Sequence, residues 1–223
     1  MATLELEQRD LLTGPGTSKP VDYFQAVYET FQSAADSAGG FVDRDYAIGG
    51  YQVRVRFAGP ALVPSLTPAL DHLAQHDVAT PALTICVWDS ASTGRKMLPP
   101  PWDNEDFVGR GEIQGYNNER IYTAFQHGSS AVNILDLARG LAIFWVPAAA
   151  EIPYWEEGSP FRTILHWWLL NHKRQLAHAA AIGDSRGGLL IGGKGGSGKS
   201  TTALACLESE LLYVGDDYTL LSL

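Results

Sequence analysis

Cysteine is scarce in this sequence. The two present, Cys86 and Cys206, lie far apart in apolar surroundings and form no CxxC pair. That pattern argues against a disulfide framework and for buried thiols in a reducing compartment. Long hydrophobic runs are missing too. The stretch "LAIFWVPAAA" is too short to span a bilayer and contains Pro147. At the N-terminus, "MATLELEQRD" has acids where a secretory signal would have a basic region. A cytoplasmic chain with no membrane partner is expected. Basic residues are outnumbered, 16 Lys and Arg against 25 Asp and Glu, for a formal net charge of -9. Such a surface repels nucleic acid and anionic lipid. A nucleotide remains admissible, because a local loop can oppose the global field. No internal repeat and no low-complexity segment is present.

The 223 residues are enough for one large domain or two small ones. Residues 1–20 carry "LLTGPGTSKP" and read as a flexible lead-in. "DYFQAVYETFQSAAD" spaces Phe24, Val27, Tyr28 and Phe31 as a helix does. "YQVRVRFAG" alternates Val53, Val55 and Phe57 with Arg54 and Arg56, which predicts a half-exposed strand. "SLTPALDHLAQH" predicts a helix and "ALTICVWD" a short buried strand. Residues 91–118 include Pro99, Pro100 and Pro101, which a central strand excludes, so a long loop is expected. "RIYTAFQ", "AVNILDLA" and "LAIFWVP" read as strands with tight turns between them. "SPFRTILHWWLLNHKRQ" reads as a helix with Ser159 as N-cap and Pro160 at its first position. Helical spacing assigns its Trp pair to the core rather than to a base-stacking platform.

Some residues of metal-ligand type have simpler readings. Asp103, Glu105 and Asp106 read as a solvated loop. His72 and His76 are four apart, but no HExxH glutamate and no third ligand accompany them, so a surface helix pair is expected. His166 and His172 do not share a helix face and receive no role.

The stretch with chemistry in it is "GGKGGSGKST", residues 192–201. Gly193, Gly198, Lys199 and Ser200 satisfy G-x-x-x-x-G-K-[ST]. Glycines let successive backbone N–H groups turn inward toward a phosphate. A helix starting near Lys199 would add its positive end. Lys199 supplies a point charge for the outer phosphates, and the Ser200 hydroxyl suits Mg2+. "GGLLIGG" before the loop reads as a strand. "STTALACLESE" after it reads as a helix with Leu204, Leu207 and Leu211 on one side. ATP with Mg2+ is therefore the expected ligand, held by Gly193, Gly195, Gly196, Ser197, Gly198, Lys199, Ser200 and Thr201.

Two further segments point at this loop. "LAHAAAI" and "GGLLIGG", joined by "GDSRG", predict an antiparallel hairpin with His178 opposite Gly192. "LLYVGDD" predicts a strand beside the loop strand, bringing Asp216 to the phosphates. A histidine and two carboxylates near a triphosphate are the parts that bind Mg2+ and take a proton from a hydroxyl.

Lys194, five residues before Lys199, resembles the extra lysine of the deviant Walker loop in partitioning and Min-type ATPases. In that family the loop opens the domain and the next aspartate comes later than here, where Asp216 follows Lys199 by 17 residues. Residues 176–223 resemble instead the catalytic domain of HPr kinase/phosphorylase and its bacterial relatives. His178, 15 residues before Gly193, and the pair Asp216–Asp217 match that family's pattern. Thr201 departs from it, standing where the best-known members carry an acid. The resemblance implies Asp216 as the base for the acceptor hydroxyl, Asp217 and Ser200 near the metal, and His178 as support from the side. It also implies a longer kinase, because the family's further metal-binding acid and basic loop lie beyond the paired aspartates.

The expected fold is α/β: an N-terminal α/β domain of unknown role over 21–150, then the start of a P-loop mixed-sheet domain of the HPr kinase/PEP carboxykinase-like kind over 151–223. Two functions stay open. One is an ATP-dependent serine kinase of the HPr kinase type, with an unknown protein or peptide acceptor. The other is a nucleotide-binding ATPase or switch module of the deviant Walker type without phosphotransfer, for which a homo-oligomer is compatible.

Overall fold

Helix α1 (Lys19–Ser37) buries Tyr23, Phe24, Val27, Phe31, Ala34 and Ala35 along one stripe, at the spacing an amphipathic helix requires. It begins the computed structural model, which describes residues 19–76 and 79–222. The expected lead-in thus lies outside the described residues, apart from Lys19 and Pro20, which are helical. The chain divides into two compact units, Met1–Ile164 and Leu165–Leu223.

The first unit is built on a nine-stranded mixed sheet of order β3-β1-β2-β4-β9-β8-β7-β6-β5. Its strands are β1 (Phe41–Ile48), β2 (Tyr51–Ala58), β3 (Ala74–Gln75), β4 (Leu83–Asp89), β5 (Phe107–Val108), β6 (Glu112–Ile113), β7 (Ile121–Gln126), β8 (Ala131–Asp136) and β9 (Leu141–Val146). β2, β4 and β9 run parallel, and the remaining pairings are antiparallel. Together with α1 this is the α/β architecture expected. β4 is buried on both faces, as a central parallel strand must be. The α1 stripe packs on Ala58, Cys86, Trp88, Val132, Ile134 and Ile143 of the sheet. Burial in this core pushes the Cys86 thiol well up, so it stays protonated and inert.

β1 was not foreseen, because "FVDRDYAI" is too charged to read as a strand. Its charges are paired instead. Asp43 and Asp45 accept two hydrogen bonds each from Arg56 and Arg54 on β2. Gly49 and Gly50, at φ +61° and +86°, close that hairpin as a two-residue turn that other residues would strain.

Three expected elements differ. "SLTPALDHLAQH" is not one helix. It is a short α-turn (Val63–Leu66), a 3-10 turn (Pro68–Leu73) and then β3, since Pro68 has no N–H to continue a helix. His72 and His76 consequently share no helix face. The stretch 91–118 is a loop with the small β5–β6 ladder inside it. The third helix starts later than expected. Ser159 ends a five-residue helix, Tyr154–Gly158, and α2 covers Arg162–Asn171. Phe161 precedes α2 in the left-handed region, at φ +59°. Its ring is buried edge-on against Phe144 at 5.3 Å, and that packing offsets the backbone strain. Trp167 and Trp168 are buried, as helical spacing implied.

The second unit holds a three-stranded antiparallel sheet, β12-β11-β13, and a two-stranded sheet, β10-β14. The ranges are β10 (Arg174–Ala177), β11 (Ala179–Asp184), β12 (Gly187–Gly192), β13 (Leu212–Gly215) and β14 (Thr219–Ser222). Helix α3 (Lys199–Ala205) continues as a 3-10 turn, Cys206–Glu208. The core here is small: Ala180, Ile182 and Ala203, with Ile191, Cys206 and Leu211 against them. The helix therefore buries Ala203, and the 3-10 turn half-buries Cys206, while the expected Leu204 and Leu207 are exposed.

Two outcomes test this packing. Phe31 is fully buried, so Phe31→Ala should cost about 3–5 kcal/mol, read as a lower urea midpoint at unchanged slope. Glu156 is buried, and desolvation raises its carboxyl above the ordinary range, with Arg162 and Ser129 opposing. A raised folded-state value means that stability is present at low pH and is lost as pH rises through it. Glu156→Gln should thus raise the melting temperature at pH 7 and leave it unchanged near pH 4; equal melting at both would refute the buried-carboxylate cost.

Candidate functional site

Gly192 ends β12, and the chain leaves the sheet there into residues 193–198 before α3 begins. Gly193, Gly196 and Gly198 take φ of +153°, +78° and +88°. A Cβ on Gly193 would meet Ser197 Oγ at 2.5 Å, so a larger residue there would displace the Ser197 side chain and strain the backbone at φ +153°. The Ser197 N–H donates to Lys194 O at 3.1 Å, which folds the loop back on itself. Gly195 is exposed at the loop tip, and Ser200 and Thr201 lie exposed in the first turn of α3.

Lys199 is the exception to this exposure, with 7% of its surface accessible. A buried ammonium needs acceptors. Its Nζ donates to Gly193 O at 3.1 Å and Lys194 O at 3.3 Å. The charge is thereby held against the loop's own backbone.

The hairpin with β12 forms, one residue out of the expected register. Ala179, not His178, stands opposite Gly192. The cause is the turn. Asp184 pairs with Gly187, leaving Ser185 and Arg186 as a two-residue connection, and Asp184 Oδ1 accepts the Arg186 N–H at 2.8 Å. His178 falls in the break between β10 and β11.

The expectation that Asp216's strand lies beside the loop strand is corrected. β13 pairs with β11, so β11 separates it from β12. Both are antiparallel to β11, however, and so run in the same direction as each other. The C-terminal ends of β12 and β13 and the N-terminal end of β11 thus share one edge of the sheet. Two strand spacings, roughly 10 Å, separate the chain leaving Gly192 from the chain leaving Gly215. The loop, His178 and the Asp216–Asp217 pair all emerge at this edge.

Within that edge some groups touch. His178 Nε2 lies 3.3 Å from Asp217 Oδ1, and the His178 ring stacks on Tyr218 at 5.4 Å. Asp217 takes a left-handed backbone, φ +67°, which an aspartate tolerates in a tight turn. The Thr219 hydroxyl donates to Ala179 O at 2.8 Å, tying the turn to the start of β11. Tyr218 and Thr219 were missed in the sequence, where "YT" after "GDD" gives no sign of this clasp. Asp216 Oδ1 is buried without a hydrogen-bond partner among the described residues. A carboxylate oxygen in that position costs about 1–3 kcal/mol unless something else meets it.

Among the described residues no group of three or more His, Cys, Asp or Glu could cage a metal. Mg2+ beside a nucleotide does not need one, because it keeps waters and takes phosphate oxygens with one or two protein ligands. Ser200 and Asp217, both exposed, carry the oxygen donors that such a partial shell uses. The other candidate groups carry structural duties. Asp103 and Asp106 form a capping box on the 3-10 turn Asn104–Asp106, and His172 Nδ1 lies 2.7 Å from Trp168 O. No helix among the described residues is long and apolar enough to cross a membrane.

No protein-family model matches the chain, and no curated protein matches it.

The unpaired Asp216 oxygen gives a test of its own. Asp216→Ala should leave the melting temperature unchanged or raise it by a few degrees, since it removes a buried oxygen without a donor. A drop of several degrees would mark Asp216 as a structural residue.

Proposed function

We propose that residues 192–201 bind the phosphates of ATP and that the chain transfers the γ-phosphoryl group to a hydroxyl, in the manner of the HPr kinase type. The observation that carries this reading is the shared sheet edge: the glycine loop, His178 and the two aspartates leave the sheet at the same end. The reading makes the second unit a P-loop domain, with its described strands paired antiparallel rather than in the expected mixed sheet.

The chemistry follows from these parts. Loop N–H groups and Lys199 receive the phosphate oxygens, each charge-assisted bond contributing about 1.5–3 kcal/mol. Several such bonds account for micromolar affinity, about -8 kcal/mol. Lys199 exchanges its two loop carbonyls for phosphate oxygens. Ser200 and Asp217 hold Mg2+, which when bound neutralises charge on the outer phosphates. The acceptor oxygen attacks phosphorus, the bond to the leaving diphosphate oxygen breaks, and the hydroxyl proton passes to Asp216. His178 orients Asp217 from 3.3 Å. The acceptor is a serine hydroxyl of a protein or peptide.

Calorimetric titration of the full chain with Mg-ATP tests the reading. Saturable micromolar binding is expected, weakened at least about 100-fold in Lys199→Ala, the loss of roughly two charge-assisted bonds. Asp216→Ala should keep ATP binding and lose transfer to an acceptor. A folded chain that binds no Mg-ATP would overturn the proposal.

A further inference from the structure

The first unit encloses a cavity of about 680 Å3 whose lining includes no residue of the 192–201 loop. That volume lies in the range of small-molecule sites, about 300–1,000 Å3. Six rings line it: Tyr23, Trp102, Phe107, Phe125, His127 and Trp145.

These walls are held in place. Trp102 is buried and packs edge-on against Tyr23 at 5.1 Å and Tyr116 at 5.3 Å. Trp145 is oriented by its indole N–H, which donates to Ser90 Oγ at 3.0 Å. His127 lies 4.8 Å from Phe107 and 4.9 Å from Phe125, joining the two rings. The roof is the 96–100 stretch, stiffened by Pro99 and Pro100. Tyr116 reaches back to donate to Pro101 O at 3.3 Å. An apolar cavity with fixed aromatic walls loses little entropy on binding a flat ring.

The polar groups at the opening select the ligand's charge. Two ionic side chains stand there, Lys96 and Asp103. The Asp103 carboxylate keeps its charge but is turned onto the Asp106 backbone N–H of its own capping box. Lys96 is exposed and makes no ion pair with a described carboxylate. We infer that this cavity binds a flat aromatic carboxylate, its ring between the Trp and Phe walls and its anionic group at Lys96.

The test is calorimetric titration of the full chain with three probes of one shape: 2-naphthoate, 2-naphthylmethanol and 2-naphthylmethylammonium. Naphthoate should bind saturably, the alcohol about fivefold more weakly, as an exposed ion pair allows, and the ammonium most weakly. Lys96→Ala should erase the preference for naphthoate over the alcohol while leaving the alcohol's affinity unchanged. Val132→Phe and Leu98→Trp, which fill the cavity from the sheet and from the roof, should each abolish binding of both. Circular dichroism confirms that the variants are folded, and the second stands in if the first is not. No saturable binding of any probe, tightest binding of the ammonium, or unchanged naphthoate affinity in a folded cavity-filled variant would each overturn the inference.

Discussion

Asp184 accepts the Arg186 backbone N–H at 2.8 Å and its guanidinium at 2.6 Å, and those bonds close the β11–β12 hairpin in two residues. The pair is exposed and adds little stability; the guanidinium holds the Asp184 carboxyl below its usual range. Its effect is geometric. With a two-residue turn, Ile191 stands opposite Ala180 and joins the small core under α3. A slip of one residue would turn every side chain of β12 to the other face. The same register delivers Gly192 to the sheet edge where β11 starts and β13 ends, so the position of the glycine loop depends on it.

The loop reconciles a local positive site with an acidic chain. Net charge acts over the whole surface, but within a Debye length of about 8–10 Å local groups dominate. Lys199 is the buried cation of the loop, and two backbone carbonyls meet it there. The Asp216 oxygen presents the opposite condition, a buried acceptor with no donor. A charge with its partners and an oxygen without one thus emerge at the same end of the sheet.

In the first unit the sheet and α1 make a well-filled core, and the segment between β4 and β7 adds Trp102 and Ile113 to it. Pro99, Pro100 and Pro101 do not pair with the sheet, so the 96–101 stretch bridges over the strands before β5 and β6 join them. The cavity under it is the consequence. Tyr23, at the start of the α1 stripe, belongs both to the core and to the cavity lining.

Much of this was legible in the sequence. Period-3.6 spacing marked α1, alternation marked β2, and apolar runs marked β4, β7, β8 and β9, because each pattern follows from burying one or both faces of an element. The spacing of His178, Gly193, Lys199 and Asp216 marked the groups that emerge at one sheet edge. Local patterns do not encode partners, however. β1 was hidden because its charges are satisfied only across the hairpin, by Arg54 and Arg56. The 65–76 segment was overread because Pro68 acts on hydrogen bonding and not on periodicity. That β13 pairs with β11 rather than β12 is a choice of neighbour, which tertiary packing alone makes. The sequence by itself determined which residues can turn, bury or carry charge; the tertiary structure decided which of them meet, since strand order and register arise from long-range contacts that no short window contains.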